Sequence, residues 1–79
     1  MIIKYRIEKD GTKIRYKSNK LHGLYSPAIE YPSGTRMWYQ NGLLHRENGP
    51  SIEWFDGDKE WHIKNKEYTK EEYNSLVSK

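Results

Sequence analysis

A chain of 79 residues with a net charge of +3 and no cysteine reads as one small domain, 1–79, without disulfides or thiolate metal sites. Only 34% of its residues are hydrophobic, yet 14% are aromatic, with seven tyrosines and three tryptophans; such a chain buries area through a few large rings rather than a thick aliphatic core. No run has the length of a membrane span and Lys4 at once interrupts Met1-Ile2-Ile3, so the expectation is a chain without signal peptide or membrane partner, located in the cytoplasm.

Residues 2–8 alternate, with Ile3, Tyr5 and Ile7 on one side and Lys4 and Arg6 on the other, the period of a half-buried strand. Asp10-Gly11 then marks a hairpin over about 2–17. Taken as a two-residue turn, it sets Ile7 against Ile14 and Tyr5 against Tyr16, whereas a three-residue loop would shift one strand and break that register. That register gathers Lys4, Arg6, Lys13, Arg15 and Lys17 on one face as a positive patch. A second hairpin, about 28–40, turns at Tyr31-Pro-Ser-Gly-Thr35, where Pro32 presets φ and Gly34 suits the bulge position of a three-residue loop. It places Glu30 opposite Arg36, Ile29 opposite Met37, and small Ala28 against Trp38. A third, about 51–64, turns around Phe55-Asp-Gly-Asp58, with Glu53 opposite Lys59 and Ser51 against Trp61. Asn19, Asn41-Gly42 and Gly49-Pro50 are connecting turns. The period then changes: Thr69-Lys-Glu-Glu72 is a capping box between Tyr68 and Tyr73 at the staple positions. It opens a short helix, about 70–78, with Tyr73, Leu76 and Val77 as its apolar stripe.

The second and third hairpins are copies. At a constant offset of 23 positions, His22 matches His45, Pro27 Pro50, Ile29 Ile52, Glu30 Glu53, Gly34 Gly57 and Trp38 Trp61. The first hairpin reads as the same unit with one residue deleted, Ile7-Glu8 matching Ile29-Glu30, and with Arg15 in place of the tryptophan as in a terminal capping repeat. The fold expected is mainly β: a single antiparallel meander of about three β-hairpin repeats, ending in a short C-terminal α-helix.

The string WYQNGLLHRENGPSIEWFDGDKEW resembles the MORN repeat in the variant form of small bacterial and phage proteins, tandem H-R-x-x-G-P-A-I-E-x-x-D-G-x-x-x-W-Y-x-N-G units. His45, Arg46, Gly49, Pro50, Ile52, Glu53, Asp56, Gly57 and Trp61 match the unit, as do His22, Pro27, Ala28, Ile29, Glu30, Gly34, Trp38, Tyr39, Asn41 and Gly42 before them. Gly23 departs from the arginine of the pattern, and Ser26 from its glycine. The resemblance covers roughly residues 7–66. It implies a scaffold that binds proteins or lipids or partners a toxin, and, for the phage type, an accessory or anti-defence protein in the host-cell cytoplasm.

His22 and His45 with Glu30 and Glu53 offer a carboxylate–imidazole pair for general-base work. A catalytic pair is needed once, however, whereas these recur per repeat, so each histidine is expected to tie a turn to its neighbour and each glutamate to pair across its hairpin. His62 has no counterpart. It could join a metal site, but three histidines without close i, i+4 spacing or cysteine argue against zinc and no metal ligand is expected; no serine lies in a nucleophile-elbow context. No catalytic residue and no cofactor are expected. The head of the chain is basic, +5 over residues 1–23 against −2 over 24–79. Its patch either binds phosphates or an acidic protein surface, or is the solvated face of an edge hairpin. Trp38 and Trp61 read as core, and of the adjacent Trp54 and Phe55 one is expected at the surface. The candidate binding residues are therefore Lys4, Arg6, Lys13, Arg15, Lys17, Arg46, Trp54 and Phe55. The partner expected is a host or phage protein, with nucleic acid as the rival and antitoxin pairing as a third reading; open edge strands allow a homodimer as well as a monomer.

Overall fold

The computed structural model describes residues 3–78. Among them, ten short strands precede one helix: β1 Lys4–Ile7, β2 Lys13–Lys17, β3 Lys20–Leu21, β4 Ile29–Glu30, β5 Arg36–Met37, β6 Tyr39–Gln40, β7 Leu43–Leu44, β8 Ile52–Glu53, β9 Lys59–Ile63, β10 Lys66–Tyr68 and α1 Lys70–Val77. Every pairing is antiparallel. The main sheet runs β1-β2-β4-β5-β8-β9-β10 with β3 on β2, and β6-β7 form a separate ribbon. The molecule is a mainly β meander of hairpin repeats closed by a C-terminal helix.

Each repeat contains two different turns. The first is a three-residue loop, closed by Glu8 N–H to Thr12 O (2.8 Å), Tyr31 N–H to Thr35 O (2.9 Å) and Trp54 N–H to Asp58 O (2.8 Å). Gly11, Gly34 and Gly57 sit at its bulge position with φ of +95°, +102° and +97°, a conformation costly to any residue with a Cβ. The second is a two-residue turn at Ser18-Asn19, Asn41-Gly42 and Lys64-Asn65, joining β2 to β3, β6 to β7 and β9 to β10. Both residues of each have positive φ, the type I′ geometry whose twist matches that of the strands it connects. Asn41-Gly42, expected as a connector, is thus a hairpin turn in its own right.

The predicted registers of the second and third hairpins hold: Ile29 faces Met37, Glu30 faces Arg36, and Glu53 faces Lys59. The first hairpin departs from expectation. Lys4 faces Tyr16, Tyr5 faces Arg15, Arg6 faces Ile14 and Ile7 faces Lys13. Gly11 takes the bulge position, the loop holds three residues, and the alternation slips by one. No residue is deleted relative to the other repeats, because the closing bonds Glu8–Thr12, Tyr31–Thr35 and Trp54–Asp58 recur at the common offset. The predicted beginning of this strand at Ile2 lies outside the described residues.

The slab measures 38 × 32 × 17 Å, and its core is correspondingly thin. The buried hydrophobic residues are Ala28, Trp38, Ile52 and Tyr73, joined by buried Thr12, Thr35, Ser51, His22, His45 and His62. Trp38 is core as expected, whereas Trp61 is only half-buried. β1 is exposed along its whole length, since a terminal strand has a neighbour on one side only. The helix is capped as predicted: Thr69 Oγ1 accepts from Glu72 N (3.1 Å) while Glu72 Oε1 accepts from Thr69 N (2.9 Å). Its stripe buries Tyr73 alone, leaving Leu76 and Val77 exposed. None of the described helix is long and apolar enough to cross a membrane.

Candidate functional site

Two of the histidines are used up by the scaffold. His22 Nδ1 accepts from Asn41 N (3.2 Å) and His45 Nδ1 from Lys64 N (3.0 Å), each at the first residue of a type I′ turn. Each ring therefore satisfies the backbone donor that opens a turn 19 residues further on, a scaffold role of the kind the repeat reading anticipates. Burial, with a smaller contribution from Lys17, holds the His22 imidazole below its ordinary pKa. His45 Nε2 meets Glu47 at 2.9 Å.

The glutamates pair elsewhere than expected. Glu53 takes Arg46 (3.2 Å), whose guanidinium also donates to Pro50 O (3.0 Å) and lies 3.7 Å from the Trp38 ring centre. Glu30 takes Arg15 (2.7 Å), which also donates to Pro27 O (2.9 Å) and stacks 5.1 Å from the Tyr5 ring. The two acceptor sets, Pro27 with Glu30 and Pro50 with Glu53, are repeat equivalents; the arginines are not. Arg46 matches Gly23, and Arg15 matches Trp38. In the later repeat a tryptophan supports an arginine sent from the following turn, whereas in the earlier one an arginine at the tryptophan position reaches the same acceptors itself. A side chain at position 23 is also barred, because a Cβ there would lie 2.2 Å from Ser26 O and 2.7 Å from Ala28 N. Two of the departures from the repeat pattern, Gly23 and Arg15, are one compensated exchange.

This geometry redistributes the candidate binding residues. The slipped register puts Lys4 and Arg6 on the face of Ile14 and Tyr16, and Lys13, Arg15 and Lys17 on the face of Tyr5 and Ile7. The single-faced basic patch is not formed. Arg6 is paired with Glu8 at 2.9 Å, and Arg15 and Arg46 belong to the scaffold. Lys4 and Lys13 are exposed, and Lys17 is half-buried. Trp54 and Phe55 are both at the surface, 37% and 69% exposed. They occupy the loop before Gly57, where strand alternation no longer applies, and they line a cleft with Tyr31, Ser33, Thr35 and Met37.

Sequence reasoning did not single out Leu24 and Tyr25, which are 52% and 92% exposed. They share a surface depression with Ile3, Arg15, His22, Gly23 and Ser26. Ile3 leads into β1, where Tyr5 and Ile7 are exposed as well. The missed signal is the pair Leu24-Tyr25 in a turn that the other copy fills with the polar Glu47-Asn48.

The structure also brings together Glu60, His62 and Glu67, whose ligand atoms lie within 4.8 Å of one another. Glu60 and His62 share a face of β9 by alternation, and Glu67 stands directly opposite His62 on β10. The buried Ser51 hydroxyl lies 2.6 Å from His62 Nδ1, giving a serine–histidine–glutamate series. Ser51 has no exposed surface, so no substrate carbonyl can approach its oxygen and the series is not a nucleophilic centre. No family model, curated protein or solved structure matches this chain.

Proposed function

We propose that this protein is a non-enzymatic binding module that docks on a partner protein through β1 and the adjoining Leu24-Tyr25 turn. One observation carries the reading: apolar side chains crowd an open sheet edge. Ile3, Tyr5 and Ile7 are 43%, 50% and 58% exposed, and Tyr25 is 92% exposed. Among the described residues β1 pairs with β2 alone, which leaves its outer backbone donors and acceptors for an added strand. Contiguous apolar surface of this kind marks protein contact sites. Arg15 beneath Tyr5 stiffens the platform without competing for the partner, since Glu30 and Pro27 already hold its guanidinium. The MORN-like pattern of the repeats, a scaffold style used for binding, favours the same reading. In a phage setting the partner would be a host protein that the module inhibits or modulates.

The test uses the full chain as bait in cell lysate, against a variant with Leu24→Asp and Tyr25→Ala. A specific protein retained by the parent chain and lost by the variant is the expected result. Identical retention by both refutes docking at this edge. Retained material that disappears with nuclease, and whose binding falls steeply with salt, would instead establish the nucleic-acid reading.

A further inference from the structure

We infer that Glu60, His62 and Glu67 form a site for one divalent transition-metal ion of the zinc class. The inference is independent of the docking surface and begins with the proton on Ser51. Its hydroxyl oxygen lies 3.1 Å from Glu60 O and 2.6 Å from His62 Nδ1. A hydroxyl has one hydrogen to give. Given to Glu60 O, it leaves the oxygen to accept from Nδ1–H. In that tautomer the His62 ring carries its lone pair on Nε2, whereas a hydrogen given to Nδ1 across the shorter contact would leave Nε2 the donor.

That nitrogen faces carboxylates. The nearest, Glu60 Oε1, is 3.8 Å away, too far for a hydrogen bond. Among the described residues Nε2 has no hydrogen-bond partner, and it reaches solvent, since no buried side-chain nitrogen or oxygen there lacks one. The Glu60 carboxylate is itself held, because Trp54 Nε1 donates to Oε2 at 2.7 Å and leaves Oε1 toward the histidine. Glu67 completes the cluster from the next strand. An imidazole whose far nitrogen donates to an oxygen, facing two carboxylates, is the donor set and outer support that zinc-class ions use. Imidazole nitrogen also selects these ions over magnesium and calcium, which take oxygen ligands. Tetrahedral nitrogen and oxygen ligands about 2.1 Å from zinc stand about 3.4 Å apart, so the present cluster closes on an ion by small rotations of two glutamate side chains. The fourth position opens to solvent on the side of exposed Glu67.

The experiment is titration of the untagged, chelator-treated full chain with Zn²⁺ by calorimetry and with Co²⁺ by visible absorption. One ion per chain is expected, with zinc displacing cobalt, and the imidazole ¹⁵N signals of His62 should report a metal on Nε2 and hydrogen on Nδ1. His62→Gln and Glu67→Gln should each weaken binding at least tenfold, and Ser51→Ala about 10- to 100-fold through lost support of the ring. Because Glu67 is exposed, Glu67→Gln should leave the unfolding temperature of the metal-free chain unchanged, which separates ligand loss from misfolding. Absence of stoichiometric binding, or binding that survives Glu67→Gln but is lost in Glu47→Gln beside His45, would overturn the site.

Discussion

The arginine at position 46 shows how a side chain suggested for binding becomes scaffold once its neighbours are known. It lies on Trp38 and donates to both Pro50 O and Glu53. Arg46→Ala should cost about 1–3 kcal/mol in chemical denaturation, the usual loss when a charged hydrogen-bond partner is removed. Arg46→Lys should recover little, since an ammonium cannot make the stacked fork. His22 carries a different consequence. Its folded pKa is depressed chiefly by burial, so the unfolded chain takes up the proton first as pH falls through about 6.5. The stability it contributes is complete above that pH and is lost as pH falls toward the folded pKa. The unfolding temperature should therefore drop between pH 7.5 and 5, and the His22 ring should titrate below 6.5 in NMR spectra. That window lies above the one in which exposed Asp10, its pKa lowered mainly by hydrogen bonds from Thr12, loses its charge.

At the scale of the element, the two turn types account for most of the regularity. Asn41-Gly42 has the residues that a type I′ turn prefers. Lys64, at φ of +49°, occupies the same position with a long side chain poorly suited to it. Lys64→Asn should raise stability by up to about 1 kcal/mol, because the bond from its backbone N–H to His45 is kept while left-handed strain falls. Asn65 must stay, as its Oδ1 accepts from Leu44 N at 2.8 Å. Gly23 marks the opposite case, a close approach of backbone to backbone. Gly23→Ala should cost about 1–3 kcal/mol by denaturant titration, since the loop at Ser26 and Ala28 would have to move.

Across the whole molecule, the helix is anchored on the repeats by its one buried residue. The buried Tyr73 hydroxyl donates to Arg46 O at 2.5 Å and accepts from Gly49 N at 3.1 Å. Tyr73→Phe should lower stability by about 1–3 kcal/mol and loosen helix docking, read as faster amide exchange in residues 70–77. The repeat, its offset, two of the three long hairpins and the capped helix were all legible in the residues. Each rests on local chemistry: Gly34 and Gly57 at bulges, Thr69 and Glu72 in a box, alternation along short strands. The first hairpin was misread because Asp-Gly suits both a two-residue and a three-residue turn, and one residue of slip moves every side chain to the other face. Leu24-Tyr25 and the Glu60–His62–Glu67 cluster depended on which strands lie side by side. The order of residues alone thus determined that this protein is a stack of β-hairpins ending in a helix, since turn and cap preferences act over a few neighbours. Only the tertiary structure decided where Arg15 and Arg46 spend their charge, which apolar edge stays open, and what faces His62. Those outcomes turn on register and on contacts between residues far apart in the chain, which local sequence preferences leave free.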